Sequence, residues 1–188
     1  MRVLVTGAAG RLGREVVRAF TDDGPVFGLS RAALNVADRK AVHDALGSCK
    51  PSLVVNCAAW TDVDGCEGDH ERAQRINAMA VGYLSEAAEE VGAHLVQVST
   101  DFVFDGEADV PYREDHPTDP LSVYGAVKLA GEVAAGPSAT VVRTSWLQPA
   151  DAPGMVERLI VALASGGPVR MGDERVACPT FIADLVPV

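Results

Sequence analysis

Short runs of β-branched and apolar residues alternate along this chain with longer stretches of helical period, and that alternation leaves few folds open. Val3 to Val5, Val26 to Leu29, Leu53 to Asn56, His94 to Val98 and Thr140 to Arg143 read as five strands. Helical segments fill the gaps between them. Leu12, Val16, Ala19 and Phe20 share one face at spacings of four, seven and eight, the stretch from Glu71 to Val91 is alanine-rich, and Ser122 is placed to cap a helix running to about Ala134. Strands separated by helices pair in parallel, because a parallel connection needs a crossover of a dozen or more residues. The expected fold class is therefore α/β, with a doubly wound parallel sheet.

With 188 residues, 48% of them hydrophobic, the chain buries a core of ordinary size. Its formal net charge of −10 repels nucleic acid and anionic membrane surfaces, so neither is expected as a partner, and a phosphate-bearing ligand has to be held by a local site. The opening residues MRVLVTG lead directly into a strand without the features of a secretory leader, and no apolar run is long enough to cross a bilayer. The expected location is cytoplasmic. Cys49, Cys57, Cys66 and Cys178 lack the spacing of a zinc site or a redox pair and read as ordinary thiols of a reducing compartment. His43, His70, His94 and His116 are scattered and read as surface or packing residues.

The segment from Asp101 to Leu121 interrupts the alternation with three prolines and seven acidic residues, so it reads as a surface loop. It leaves the end of the fourth strand, the edge at which open α/β sheets bind ligands, and is expected to form part of an active site.

V-T-G-A-A-G-R-L-G puts Gly7, Gly10 and Gly13 between the first strand and the first helix. A dinucleotide pyrophosphate needs glycines for close backbone approach and a helix N-terminus for its free N–H groups, which makes the sheet Rossmann-like in expectation. The spacing is G-x-x-G-x-x-G. At the end of the second strand stands Arg31, with no acidic residue to hold ribose hydroxyls; a cation there suits a 2′-phosphate and favours NADPH over NADH, while a solvated arginine is the other reading. Tyr124 and Lys128 lie four apart on one helix side, where an ammonium is expected to lower the tyrosine pKa toward working pH and to hold a cofactor ribose. Thr100, ending the fourth strand, supplies a hydroxyl that could donate to a substrate carbonyl beside the tyrosine.

Several stretches together carry a family resemblance: N-C-A-A-W-T-D-V-D-G-C-E (56–67), S-T-D-F-V-F-D-G (99–106), P-Y-R-E-D (111–115), V-Y-G-A-V-K-L-A-G-E (123–132) and V-R-T-S-W-L (142–147). They resemble the dTDP-4-dehydrorhamnose reductases, which are extended short-chain dehydrogenase/reductases. The resemblance implies reduction by NAD(P)H of the C4 ketone of a nucleotide-linked 6-deoxy sugar, with Thr100, Tyr124 and Lys128 as the catalytic set and Tyr124 as proton donor. It places Gly7, Gly10, Arg11, Leu12 and Gly13 on the cofactor loop, Ala58, Ala59 and Thr61 beside the cofactor ribose, and Asp101, Phe102 and Trp146 at the border of the sugar. Read from the residues alone, Trp146 is equally a core aromatic and Asp101 a turn residue. Residues 1–150 then form an NAD(P)-binding domain carrying the catalytic residues, and 151–188 the start of a substrate-binding region that this chain lacks in large part.

The chain also departs from the family pattern. Phe102 replaces a tyrosine, and the D-Q-x-G-x-P-T block reads Asp173-Glu174-Arg175-Val176-Ala177-Cys178-Pro179-Thr180. Glu15 matches a position at which some family members bind Mg²⁺ between subunits, yet its companion carboxylates fall past Val188, so no metal site is assigned within this chain. Asp62, Asp64 and Glu67 read as helix N-terminal carboxylates rather than a metal cluster. The residues leave open a homodimer, and they leave open two further readings. One is a non-catalytic NADP-binding subunit similar to the methionine adenosyltransferase β subunit; the other is a nucleotide-sugar epimerase or dehydratase.

Overall fold

The computed structural model describes residues 1–149, 154–166, 168–169 and 177–187. Five parallel strands form the central sheet: β1 (Val3–Thr6), β2 (Val26–Leu29), β3 (Leu53–Asn56), β4 (His94–Thr100) and β5 (Thr140–Thr144), in the order β2-β1-β3-β4-β5. All pairings are parallel, with Val5 opposite Gly28 and Val55, and Thr100 opposite Thr144. The fold is a Rossmann-like doubly wound sheet, as the alternation predicts, and the strand segments read from sequence fall inside the observed ones.

Strand β1 is buried along its whole length because both of its faces are covered, which suits an unbroken V-L-V-T run. Its alternating side chains feed two cores. Leu4 joins Val54, Leu95, Val42, Leu46 and Leu84 under α2 (Arg39–Cys49) and α5 (Ala80–Val91). Val3 and Val5 join Leu12 and Val16 of α1 (Arg11–Ala19) on the other face. Phe20 packs at the edge of this second core, whereas Ala19, expected on the same face, is exposed: the helix ends there and turns away.

Two short helices, α3 (Val63–Gly68) and α4 (His70–Gln74), follow β3. The alanine-rich stretch beginning at Glu71 is not one uninterrupted α-helix. A π turn over Arg75–Met79 separates α4 from α5. Such turns carry one extra residue and gather at functional sites. Helix α6 (Val123–Ala135) begins as the cap at Ser122 predicts, with Ser122 Oγ accepting from Gly125 N at 3.0 Å.

Beyond the sheet, β6 (Leu147–Gln148) pairs with β7 (Thr180–Phe181), and α7 (Met155–Ala164) lies between them in sequence. Helix α8 (Ile182–Leu185) returns to α1, and its Ile182 is fully buried among Val3, Val5 and Leu12. Residues past 150 therefore enter the same core as the sheet. Asp173 to Val176 lie outside the described residues. No described helix is long and apolar enough to cross a membrane.

Candidate functional site

In strand order the chain reverses direction between β1 and β3, so the loops leaving their carboxyl ends diverge and open a crevice. Those loops line a cleft of about 830 Å³: Gly7, Ala9 and Gly10 on one wall, and Cys57, Ala58, Ala59 and Trp60 on the other. Gly7 adopts φ +64°, and a Cβ there would lie 2.8 Å from Ala58 N and the Cys57 carbonyl, so only glycine lets the two loops approach. Gly13 serves the packing of α1, since a Cβ on it would meet the Gly7 carbonyl oxygen. The side chain of Leu12 points into the core, and those of Arg11 and Thr61 are exposed. The structure thus brings Gly7, Gly10, Arg31, Ala58 and Ala59 to one cleft and leaves Arg11, Leu12, Gly13 and Thr61 off its lining.

The charge of the cleft is opposite to that of the whole chain. Arg31, Arg72 and Arg75 line it, and no Asp or Glu does. Arg72 stacks its guanidinium 4.1 Å over the Trp60 ring, which leaves its in-plane N–H groups available. Glycine backbone at a helix N-terminus beside cationic side chains fits a nucleotide diphosphate.

At the end of β4, Thr100, Tyr124 and Lys128 stand together. Lys128 is 4% exposed and donates from Nζ to the Val98 carbonyl at 2.6 Å. Burial brings its pKa down to about 8, against the opposing pull of Glu132 and Cys57. Cys57, which lines the cleft, feels the Lys128 charge, while Thr100, Tyr124 and Lys128 are not themselves among the lining residues. Tyr124 is 8% exposed, lies within hydrogen-bonding reach of Thr100, and meets Phe102 edge-on at 5.6 Å between ring centroids.

Here the structure corrects the expected tyrosine chemistry. The Tyr124 pKa is raised to about 12, chiefly by burial, although the hydrogen bond to Thr100 opposes this. The Lys128 ammonium is engaged by the Val98 carbonyl, so the apolar packing around the phenol decides the direction.

Asp101 begins a tight turn over Asp101–Val103 and accepts from Thr100 Oγ1 at 3.1 Å; burial raises its pKa. Phe102 lies against Tyr124. Trp146 is 37% exposed with φ +45°, and is therefore no core aromatic. Glu15 pairs with Arg18 at 2.9 Å. Asp62 caps α3, and Glu67 accepts from Val123 N at 2.8 Å, tying α3 to the start of α6. Among the described residues, no group of three or more His, Cys, Asp or Glu is arranged to hold a metal ion.

Sequence reasoning missed Trp60, Arg72 and Arg75 of the cleft, and Asn77 behind it. A polar Asn77 within an apolar, alanine-rich stretch was the available signal, since such a residue is buried only with partners.

The sheet order and the glycine turn at its switch point define a domain of the Rossmann-like class. Residues 1–188 match the family described as RmlD substrate binding domain, and the chain belongs to that family. It is 43% identical over 189 residues to a dTDP-4-dehydrorhamnose reductase of Streptomyces griseus, covering 98% of this chain and 62% of that protein. It is 44% identical over 190 residues to a probable dTDP-4,6-dihydroxy-2-methyloxan-3-one 4-ketoreductase of Streptomyces antibioticus, covering 98% and 64%. The crystal structure of a dTDP-4-dehydrorhamnose reductase from Bacillus anthracis in complex with NADP superposes with a TM-score of 0.92 at 30% identity, covering 99% of this chain and 68% of that one. The chain thus spans less than two thirds of the length of these two Streptomyces relatives.

Proposed function

We propose that this chain carries the cofactor-binding and catalytic part of an NADPH-dependent reductase that converts the C4 ketone of a nucleotide-linked 6-deoxy sugar to the alcohol, with dTDP-4-dehydrorhamnose as substrate and dTDP-L-rhamnose as product. The observation that carries this reading is the cluster of Thr100, Tyr124 and Lys128 beside a cleft whose glycine turn and three arginines suit a dinucleotide. In this reading residues 1–150 hold the cofactor and the catalytic groups, and 151–188 begin the sugar-binding region.

When bound, NADPH supplies the hydride. The residues of this chain handle the oxygen. As negative charge develops on the C4 oxygen, Thr100 Oγ1 and the Tyr124 hydroxyl donate to it, and Tyr124 gives up its proton to form the alcohol. A phenol with a pKa near 12 is fully protonated at neutral pH, so the donor is loaded before the sugar arrives. Its conjugate base would be stabilised by the Lys128 ammonium once the oxygen and the cofactor ribose draw these groups together. Gly7 and Gly10 leave room for the pyrophosphate, Ala58 and Ala59 line its opposite wall, and Arg31 meets the adenosine 2′-phosphate, which favours NADPH over NADH. Asp101 and Phe102, beside Thr100 and Tyr124, border the sugar, and the exposed Trp146 offers it an aromatic face.

The test is oxidation of NADPH with dTDP-4-dehydro-6-deoxy-L-lyxo-hexose, comparing the chain with its Tyr124→Phe variant. A loss of ~100-fold or more in turnover with unchanged NADPH affinity is expected for removal of a general acid. Equal turnover in the variant would reject Tyr124 as the donor.

A further inference from the structure

Three consecutive residues at the end of β4 meet three residues spaced four apart on α6. The Val98 carbonyl accepts from Lys128 Nζ at 2.6 Å, Ser99 Oγ donates to Glu132 Oε1 at 2.5 Å, and Thr100 lies against Tyr124. Two of these contacts involve the proposed catalytic groups. The middle one does not touch the reacting atoms, yet it is the most heavily constrained.

The Glu132 side chain is 8% exposed. Besides Ser99 it accepts a fork from Arg143, with Nε 3.0 and 3.2 Å from its two oxygens and Nη2 2.7 Å from Oε2. Arg143 sits on β5 directly beside Ser99 in the sheet register. The same guanidinium donates to the Glu114 carbonyl at 3.3 Å and lies 5.0 Å from the Phe104 ring centroid. One carboxylate therefore ties α6 to β4 and, through Arg143, to β5 and the loop leaving β4. An ion pair this enclosed is seldom the most stable filling for its volume, and an apolar pair often does as well or better. Its placement is explained if the register it imposes is needed.

We propose that Glu132 is a positioning residue, whose carboxylate sets the register of α6 against the end of β4 so that Tyr124 and Lys128 face Thr100. The inference rests on the reductase reading for its effect on turnover, but not for its structural effect. Glu132 also places negative charge one helical turn from Lys128. The titratable groups facing that ammonium are Cys57 after β3 and Glu132 on its own helix, while β4 offers it the uncharged Val98 carbonyl.

Lys40, Lys50 and Lys128 are the three lysines of the chain, so the side-chain nitrogen of Lys128 can be followed by NMR without crowding. Glu132→Gln keeps the shape and removes the charge. The Lys128 midpoint is expected to fall by about one unit, with Lys40 and Lys50 unmoved, and kcat is expected to drop at least ~10-fold with little change in KM. A second variant, Glu132→Gln with Arg143→Met, removes both buried charges and serves if the single variant does not fold. A purely structural pair predicts that this double variant recovers both wild-type Tm and wild-type turnover; a positioning role predicts that Tm recovers while kcat stays low and the NMR contacts between Tyr124 and Thr100 stay displaced. Unchanged NMR contacts between Tyr124 and Thr100 in a folded Glu132→Gln chain, or full recovery of turnover by the double variant, overturns the proposal. Should the wild-type chain show no turnover, the reductase reading fails on its own, and the NMR contacts between Tyr124 and Thr100 still decide the role of Glu132.

Discussion

Asn77 holds Trp60 by both of its main-chain groups: Trp60 N donates to Asn77 Oδ1 at 2.9 Å, and Asn77 Nδ2 donates to the Trp60 carbonyl at 2.9 Å. Asn77 is 1% exposed and lies in the π turn, where the extra residue of the wider coil coincides with a side chain that serves the neighbouring loop rather than its own helix. Through this pair the α4–α5 segment sets the loop that forms one wall of the cleft. Asn77→Ala would strip Trp60 of a donor and an acceptor partner. We expect a loss of about 2 kcal/mol or more in urea unfolding and at least ~10-fold weaker NADPH binding. Stability that falls without any change in affinity would separate the loop from the cofactor site.

Two glycine substitutions should act in opposite directions. Gly7→Ala puts a methyl group 2.8 Å from backbone atoms of Cys57 and Ala58 at a positive φ, so the loops must part. NADPH binding should be lost, at a cost of more than about 1 kcal/mol in stability. Gly47 lies inside α2 with nothing within 4 Å of its Cβ position. Gly47→Ala should raise stability by about 0.5–1 kcal/mol and leave NADPH affinity unchanged. Calorimetric unfolding of both variants checks the pair.

Arg31 lines a cleft that contains no acidic side chain. Arg31→Glu should weaken NADPH binding ~10-fold or more and leave NADH binding nearly as it is, because only NADPH brings a 2′-phosphate to that position. Titration with both nucleotides gives the ratio. A ratio equal to that of wild type would move the preference to Arg72 or Arg75.

Alkaline pH should produce a maximum in stability. Lys128 titrates at about 8 in the folded chain against an ordinary value of 10.5, so the unfolded chain binds more protons between those values and stability rises with pH. Cys57 and Tyr124 are both raised to about 12, from 9.0 and 10.0. Across those intervals the folded chain keeps protons that the unfolded chain releases, and stability falls. Urea unfolding from pH 7 to 11 should therefore show a gain from about pH 8 to 9, where Lys128 acts alone, and a net loss that sets in by about pH 10, where Cys57 and Tyr124 together outweigh it. Lys128→Met should remove the gain and keep the loss.

The sequence by itself was enough for the sheet, the glycine turn and the placing of Tyr124 and Lys128 one turn apart on a single helix. Strand and helix periods are local properties of a chain, and residues four apart on a helix face one way wherever the helix packs. The caps at Ser122 and the acidic start of α3 were legible for the same reason. Other features depended on contacts between residues far apart in the chain. Nothing local marks Asn77 as the partner of Trp60, 17 residues before it, or joins Glu132 to Ser99, 33 residues away. The direction of the Tyr124 shift is the clearest case. Spacing placed an ammonium near the phenol and implied a lower pKa, whereas the packing of Phe102 and the closing of α6 over β4 removed water from it and raised the value instead. Desolvation depends on everything that surrounds a group at once, and only the tertiary structure decides what that is.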